Sequence, residues 1–316
     1  MSLLLLGGWP EAERDQWLDL LQAALPGESW LLQPPTAATQ AAEVEAAIVA
    51  NPAHGSLAGL PNLRLIQSVW AGVDKLLTDP TLPADVPLAR MVDPAMNEAM
   101  VQTALWAVLS LQRGFFTLQA QQRERLWRPP AQPRAADWRV LVLGQGELGG
   151  RVARALAAQG YALSAWSRRP VSTERLPGVH GLHGEAVLPA ALAQADTVIN
   201  LLPLTAATAG FFNAGRLAQM KPGSGLVNLA RGAQVNEADL LRALDAGHVS
   251  HAVLDVFAVE PLPAEHRFWS HPRVTVLPHC AAQTDARSAV AVVVANLLAL
   301  RAGRPLQYPV DRQRGY

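Results

Sequence analysis

The run Val140-Leu-Val-Leu143 ends at Gly144-Gln-Gly146-Glu-Leu-Gly149, and the residues that follow have helical periodicity. A buried strand that stops at a glycine-rich turn and continues as a helix is the opening unit of a dinucleotide-binding α/β domain. Gly144 permits the tight bend, Gly146 lets main chain approach a pyrophosphate, and Gly149 lets helix and strand pack closely, with the phosphates at the helix N-terminus. Three glycines also arise by chance, so the rest of the chain has to decide.

The rest of the chain repeats the alternation. Up to about residue 92, short apolar segments (Trp30-Leu-Leu32, Ala47-Ile-Val49, residues 63–69) alternate with helical ones such as residues 10–25, which predicts a first α/β unit. Residues 96–111 read as one long helix, and the Arg-, Gln- and Pro-rich stretch after it, to Asp137, marks a domain boundary. From Trp138, strands are expected near residues 140–143, 162–166, 196–202, 225–229, 252–257 and 274–277, with helices between them. One of these helices starts at Asn236 as N-cap and stops at Gly247. Six strands joined by helices imply a doubly wound parallel sheet.

Composition narrows the function classes. In 316 residues, 50% are hydrophobic and 16% charged, so the chain has enough apolar surface for one or two compact cores. Twenty-six basic side chains balance 26 acidic ones, so no overall field favours nucleic acid or an anionic membrane, and neither partner is expected. The opening Met-Ser-Leu-Leu-Leu-Leu has no basic residue ahead of it and reads as a buried strand rather than a signal peptide. Residues 289–300 are too short to span a bilayer and contain Asn296, which points to a buried helix. The lone Cys280 supports neither an internal disulfide framework nor a multi-cysteine metal site. No metal is expected, and a cytoplasmic setting is.

In such a sheet, ligands bind beyond the carboxyl ends of the strands. The expected cofactor contacts are therefore Gly144, Gly146, Glu147, Leu148 and Gly149 at the turn and Ser167, Arg168 and Arg169 after the second strand. Later strand ends add Leu202, Pro203, Leu229, Ala230, Asp255 and Ala281. An acidic residue at the end of the second strand would favour NAD; here Ser167 is followed by two arginines, which suit a 2′-phosphate. NADP(H) is the expected cofactor, with NAD(H) as the alternative. His279, after a strand and Pro278, is placed to give a proton to a carbonyl oxygen while hydride arrives from a nicotinamide. Glu260 is placed to hold that imidazole, and Arg231 to grip a substrate carboxylate and polarise the keto group beside it. Cys280 lacks a base of its own and reads as a packing residue.

These residues together resemble the D-2-hydroxyacid dehydrogenase family, and within it the glyoxylate/hydroxypyruvate reductase A branch. The likeness lies in Trp166-Ser-Arg168, Asn200-Leu-Leu-Pro203, Asn228-Leu-Ala-Arg231-Gly232, Asp255-Val-Phe-Ala-Val-Glu260-Pro-Leu-Pro263, Pro278-His279-Cys-Ala-Ala282 and Val310-Asp-Arg-Gln-Arg-Gly-Tyr316. The resemblance implies that Arg231, Glu260 and His279 are the catalytic set. It also implies that main-chain N–H groups of the loop Val69-Trp-Ala-Gly-Val-Asp74 hold the substrate carboxylate. Trp70, Ala71, Gly72, Arg231 and His279 are then the substrate-binding residues. Trp70 stands where the branch tends to have glycine, and Ala50-Asn-Pro52 where it has tryptophan. Either the Trp70 indole lines the pocket or it packs outward.

The architecture implied is two Rossmann-like domains. One is a smaller, flavodoxin-like split substrate domain (residues 1–98 and 284–316). The other is an NADP-binding domain (residues 99–283) that includes a dimerisation helix and loop, with a cleft between them that closes on substrate. A homodimer is expected, pairing through the long helix and residues 114–133, with Trp127 a candidate to reach the partner. The activity implied is NADPH-dependent reduction of small 2-oxoacids, glyoxylate, hydroxypyruvate or bulkier analogues, to 2-hydroxyacids. Two readings stand beside it: a nucleotide-sensing, corepressor-like binding protein, and an NAD-linked dehydrogenase of the phosphoglycerate type.

Overall fold

A computed structural model describes residues 1–170 and 177–316. The chain forms β1 (Ser2–Gly7), α1 (Glu11–Ala24), β2 (Ser29–Leu31), α2 (Ala38–Ala41), β3 (Val44–Ala50), β4 (Leu65–Ser68), α3 (Asp74–Leu77) and β5 (Leu88–Ala89). It continues through α4 (Pro94–Gln112), α5 (Phe115–Arg123), β6 (Arg139–Leu143), α6 (Glu147–Ala158), β7 (Ala162–Ser167), β8 (Val179–His183), α7 (Leu188–Gln194) and β9 (Thr197–Asn200). The last elements are α8 (Ala214–Ala218), β10 (Ser224–Asn228), α9 (Glu237–Asp245), β11 (Val249–Leu254), β12 (Val274–Val276) and α10 (Ala286–Arg301). Two compact units result, one of Met1–Met96 with Thr284–Tyr316, the other of Asn97–Gln283.

In the first unit all strands are parallel, in the order β2-β1-β3-β4-β5. Both faces of β1 are covered, which is why it reads as an unbroken apolar run. Because strand side chains alternate, Leu3 and Leu5 enter a core with Trp17 and Leu21 of α1 and Val293 and Leu297 of α10, while Leu4 and Leu6 enter another with Leu57, Leu60 and Leu63. Asn296, the polar residue inside the apolar run of α10, is fully buried. Its Nδ2 donates to Gln67 Oε1 at 2.6 Å and to the Gln307 carbonyl at 3.1 Å, and its Oδ1 accepts the Gln307 N–H at 2.7 Å. A buried carboxamide with both ends matched fixes the docking of α10 on β4.

The second unit holds seven parallel strands in the order β12-β11-β10-β9-β6-β7-β8. The order reverses where β6 meets β9, so the strand ends diverge there and leave a crevice. Two features differ from the sequence expectation. The strand β8 was not anticipated: Val-His-Gly-Leu-His lies at the sheet edge, half-buried or exposed at every position, and carries no apolar period. The break between units falls before Asn97, two residues from the boundary that the resemblance implies, and not in the polar stretch near Asp137. The reason is that Met100, Ala104, Ala107 and Val108 of α4 share one core with Val140 and Val142 of β6 and Val152 and Leu156 of α6.

Candidate active site

The turn after β6 is built by steric necessity. Gly144 adopts φ +102°, and a Cβ there would lie 2.6 Å from the Leu201 carbonyl oxygen; one on Gly149 would lie 1.8 Å from the Gly144 oxygen. Strand and helix therefore approach as closely as main chain allows. A Cβ on Gly146, the N-cap of α6, would meet nothing within 4 Å, so its glycine leaves open space in front of the helix. The first-turn N–H groups of α6, from Glu147, Leu148 and Gly149, point their partial positive charge into that space. The Glu147 carboxylate is drawn aside onto Arg151 at 2.7 Å, and Leu148 is half-buried against the core. This cradle of glycine main chain and helix terminus fits a pyrophosphate.

At the end of β7, Ser167 Oγ donates to the Arg169 carbonyl at 2.6 Å, folding the strand end into a short turn. Arg168 and Arg169 are exposed and make no ion pair among the described residues. Among the described residues no carboxylate stands at this strand end, and the two guanidinium groups suit an external anion.

Past β9 and β10 the main chain is held by buried carboxamides. The Leu202 and Pro203 carbonyls each accept from Gln234 Nε2 at 3.1 Å. Leu229 N–H donates to the Asn200 carbonyl and Ala230 N–H to Asn228 Oδ1, both at 3.3 Å. Arg231 N–H donates to Gln234 Oε1 at 3.2 Å, and its side-chain Nη1 donates to the Ala230 carbonyl at 2.8 Å. Gly232 packs so tightly on Phe257 that a Cβ would fall 1.9 Å from the Phe257 carbonyl carbon. Phe257 N–H in turn donates to Glu260 Oε1 at 2.9 Å, so the Arg231 turn and the Glu260 turn are seated on one another.

His279 Nδ1 lies 2.8 Å from Glu260 Oε2. With Nδ1–H directed at the carboxylate, Nε2 is the nitrogen left to exchange a proton with a ligand. The histidine side chain keeps 53% of its surface exposed and the glutamate 27%, so the pair is open to a substrate. His279 has φ +51°, a left-handed conformation uncommon for a residue with a side chain, and its N–H is shared between the Asp255 and Leu277 carbonyls at 2.9 and 3.0 Å. Asp255, 2% exposed, over-determines this turn: its Oδ1 accepts Cys280 N–H at 2.8 Å and Ala281 N–H at 2.9 Å. Burial pushes the Asp255 carboxyl up to about 6, against the opposing pull of those two N–H groups. Ala281 is engaged on both sides, since its carbonyl also accepts from Thr103 Oγ1 at 2.8 Å. Asp255 and Ala281 therefore spend these polar groups on the turn that carries His279. Burial and the Asp255 charge raise the Cys280 thiol, which keeps it out of the thiolate form.

In the first unit, the loop after β4 differs from expectation in one respect. The Trp70 N–H, expected to face a substrate, donates to Ser68 Oγ at 3.1 Å, and the Trp70 carbonyl accepts from Met91 N–H at 3.1 Å. The N–H groups of Ala71, Gly72 and Val73 have no acceptor among the described residues. The Trp70 indole is half-buried against the core of Leu3, Trp17 and Val69.

Two residues were missed as parts of the site. Gln234 was passed over because a glutamine two residues after Gly232 has no chemical signal of its own, and Ser68 because it lies inside an apolar strand. Among the described residues no group of histidine, cysteine and acidic side chains is placed to hold a metal ion, and no helix is long and apolar enough to cross a membrane.

Comparison with known proteins shows which family the chain belongs to. Residues 105–281 match the model of the D-isomer specific 2-hydroxyacid dehydrogenase NAD-binding domain. The glyoxylate/hydroxypyruvate reductase A of Yersinia enterocolitica is 40% identical over 312 residues, which is 97% of this chain and 98% of that protein. A D-isomer specific 2-hydroxyacid dehydrogenase from Xanthobacter autotrophicus Py2, solved with NADPH and MES, superposes with a TM-score of 0.93 at 39% identity, covering 100% of this chain and 99% of that one. The NADPH-dependent glyoxylate/hydroxypyruvate reductase of Sinorhizobium meliloti, solved with NADP and sulfate, gives a TM-score of 0.90 at 34% identity with both chains fully covered. The parallel strand order, the glycine turn and the His279–Glu260 pair thus sit in a chain that is related over nearly its whole length to these proteins, and it belongs to the D-isomer specific 2-hydroxyacid dehydrogenase family.

Proposed function

We propose that this protein is an NADPH-dependent reductase that converts small 2-oxoacids, glyoxylate, hydroxypyruvate or bulkier analogues, to 2-hydroxyacids. The observation that carries the reading is the His279–Glu260 pair, 2.8 Å apart and open to solvent on a strained turn at a strand end. In this reading the second unit binds NADPH and the first supplies the loop that recognises the substrate carboxylate. The α6 N-terminus and glycine turn receive the pyrophosphate, and Arg168 and Arg169 receive the 2′-phosphate, with Ser167 raising no opposing charge. NADPH, when bound, supplies the hydride.

The chain's own residues do the rest. Within the second unit, Arg231 pairs its guanidinium with the substrate carboxylate and polarises the adjacent keto oxygen. His279 Nε2 passes its proton to the keto oxygen as that oxygen becomes an alkoxide, while Glu260 balances the imidazolium and holds the ring in the productive orientation. Hydride and proton together complete a two-electron reduction of the ketone to the alcohol. The half-buried Trp70 indole narrows the freedom of the first unit's loop, which favours a substrate range different from that of relatives with glycine there.

We also read the protein as a cytoplasmic homodimer. Along α4, α5 and the chain after them, Trp106, Leu109, Phe115 and Leu126 are each 40–46% exposed and Trp127 is wholly exposed, an apolar surface suited to a second copy. Sedimentation velocity checks this: a monomer at micromolar concentration would overturn it.

Initial rates of NADPH and NADH oxidation with glyoxylate, hydroxypyruvate, pyruvate and phenylpyruvate test the main reading. Saturable turnover with NADPH preferred is expected. NADPH binding without turnover of any 2-oxoacid would favour a nucleotide-sensing role instead.

A further inference from the structure

Three carboxamides with no exposed surface meet beneath the ends of β9 and β10. Asn200 Nδ2 donates to Asn228 Oδ1 at 2.9 Å and to Gln234 Oε1 at 2.8 Å. Asn200 Oδ1 accepts Leu202 N–H at 3.3 Å, Asn228 Oδ1 accepts Ala230 N–H at 3.3 Å, and Asn228 Nδ2 donates to the Arg231 carbonyl at 3.1 Å. Gln234 closes the set: its Oε1 takes the Arg231 N–H at 3.2 Å, and its Nε2 gives one hydrogen each to Leu202 and Pro203. The donors and acceptors are matched so that reversing any one amide would set oxygen against oxygen or N–H against N–H.

We infer that Gln234 is a positioning residue for the reaction: one side chain grips the Arg231 main chain with its oxygen and the Leu202–Pro203 main chain with its nitrogen, and so fixes the substrate-carboxylate arginine relative to the cofactor-side loop. This rests on the reductase reading above. No side chain of lesser reach does both jobs. Asn200 touches the Leu202 loop but not Arg231, and Asn228 touches Arg231 but not the Leu202 loop. Gln234 itself lies in the 3-10 turn Gly232–Gln234, whose rotation is limited by the Gly232 contact with Phe257, so its amide is delivered at a set height. Arg231 is then aimed from behind, through its own main chain, by a residue that never meets the substrate.

Gln234→Glu and Gln234→Leu separate positioning from mere packing. In Gln234→Glu the new carboxyl is buried, so its protonation extends above the ordinary range. While protonated it still accepts the Arg231 N–H and donates to Leu202 or Pro203. Once ionised, it turns an oxygen toward those two carbonyls and loses the grip. The facing groups are the Asn200 and Asn228 carboxamides and the Arg231 main chain, and the charged neighbour on the same turn is the Arg231 guanidinium.

The expected result is a variant-to-parent ratio of kcat/KM for hydroxypyruvate that falls about tenfold as pH rises from about 6 to about 8. Gln234→Leu should show a low ratio at every pH, with kcat reduced and KM for the oxoacid raised. A ratio for Gln234→Glu that stays flat with pH, in a parent that turns over, would overturn the inference. Hydrogen exchange of the intact proteins provides a readout independent of turnover. Gln234→Leu should lose protection together at residues 200–203 and 229–232, whereas unchanged protection in both segments would also overturn it. A parent without 2-oxoacid turnover sinks the reductase reading, and the exchange result then decides the positioning role alone.

Discussion

The two stretches that would flank a bound dinucleotide are made in opposite ways. At the end of β7, Ser167, Arg168 and Arg169 stand half-buried or exposed, with two guanidinium groups free of ion pairs among the described residues. At the ends of β9 and β10, Asn200, Asn228 and Gln234 are fully buried, and no atom of theirs is left without a partner. An exposed charge interacts through water and is worth little, so it can be exchanged at small cost; a buried matched amide is costly to disturb. The first region is thus suited to choosing between cofactors, and the second to holding reacting groups in register.

Substitutions can break or sharpen that contrast. The largest effect is expected at His279, whose turn is held from below by the buried Asp255 and whose ring is held by the solvent-accessible Glu260. His279→Ala should lower kcat for 2-oxoacid reduction by about a thousandfold while leaving the NADPH dissociation constant, read by fluorescence titration, nearly unchanged. A matching loss of NADPH affinity would show that the His279 turn also shapes the cofactor site. Next is Gly149→Ala. With a Cβ 1.8 Å from the Gly144 oxygen, α6 must move off its strand at a cost of about 3 kcal/mol in urea unfolding. A neutral result would mean that the turn is looser than its geometry.

Asp255→Asn follows, as a pH effect. Because the folded carboxyl is raised to about 6 from an ordinary 3.8, the folded state binds its proton more readily than the unfolded chain. Its favourable contribution is complete below the ordinary value and is lost as pH rises through about 6. The asparagine keeps the acceptor for Cys280 and Ala281 without that dependence. The stability of the variant relative to the parent should therefore improve by about 1–2 kcal/mol between about pH 4 and about pH 7. A constant difference would show that the carboxylate is not strained by burial.

The smallest effect is expected at the rim. Ser167→Asp should shift the ratio of kcat/KM for NADPH over NADH toward NADH by about tenfold, roughly 1.4 kcal/mol. A shift far beyond tenfold would show that this rim is not the region that is exchanged at small cost.

Legibility in the sequence follows the same division. The glycine turn, Ser167-Arg168-Arg169, Glu260 and His279 could be picked out as candidates because each stands in a short motif of its own, while the bond that joins Glu260 to His279 spans 19 residues. The edge strand β8 was not, because Val-His-Gly-Leu-His buries too little to show a period. The amide network was half visible: Asn200 and Asn228 stood out in their motifs, but nothing local says that Gln234 turns inward to join them. Partners 34 residues apart along the chain are brought together only by the sheet. The same holds for Ser68, which occupies the Trp70 N–H that was expected to meet the substrate. Hydrogen bonds closed by tertiary structure leave no pattern in a one-dimensional reading, whereas strands, turns and reactive side chains do.

The helix Ala286–Arg301 supplies Ala286, Ala289, Val290, Val293 and Leu297 to the core that Leu3, Leu5 and Trp17 begin. Everything from Asn97 to Gln283 is synthesised between those two contributions. On the ribosome, the early strands must therefore wait with an unfinished apolar face while a continuous second unit, which borrows nothing from the other for its own sheet, is free to fold first. The last part of the first core to be made is the part that completes it, so the interval of translation between Trp17 and Val293 is when a nascent chain of this design most needs a chaperone.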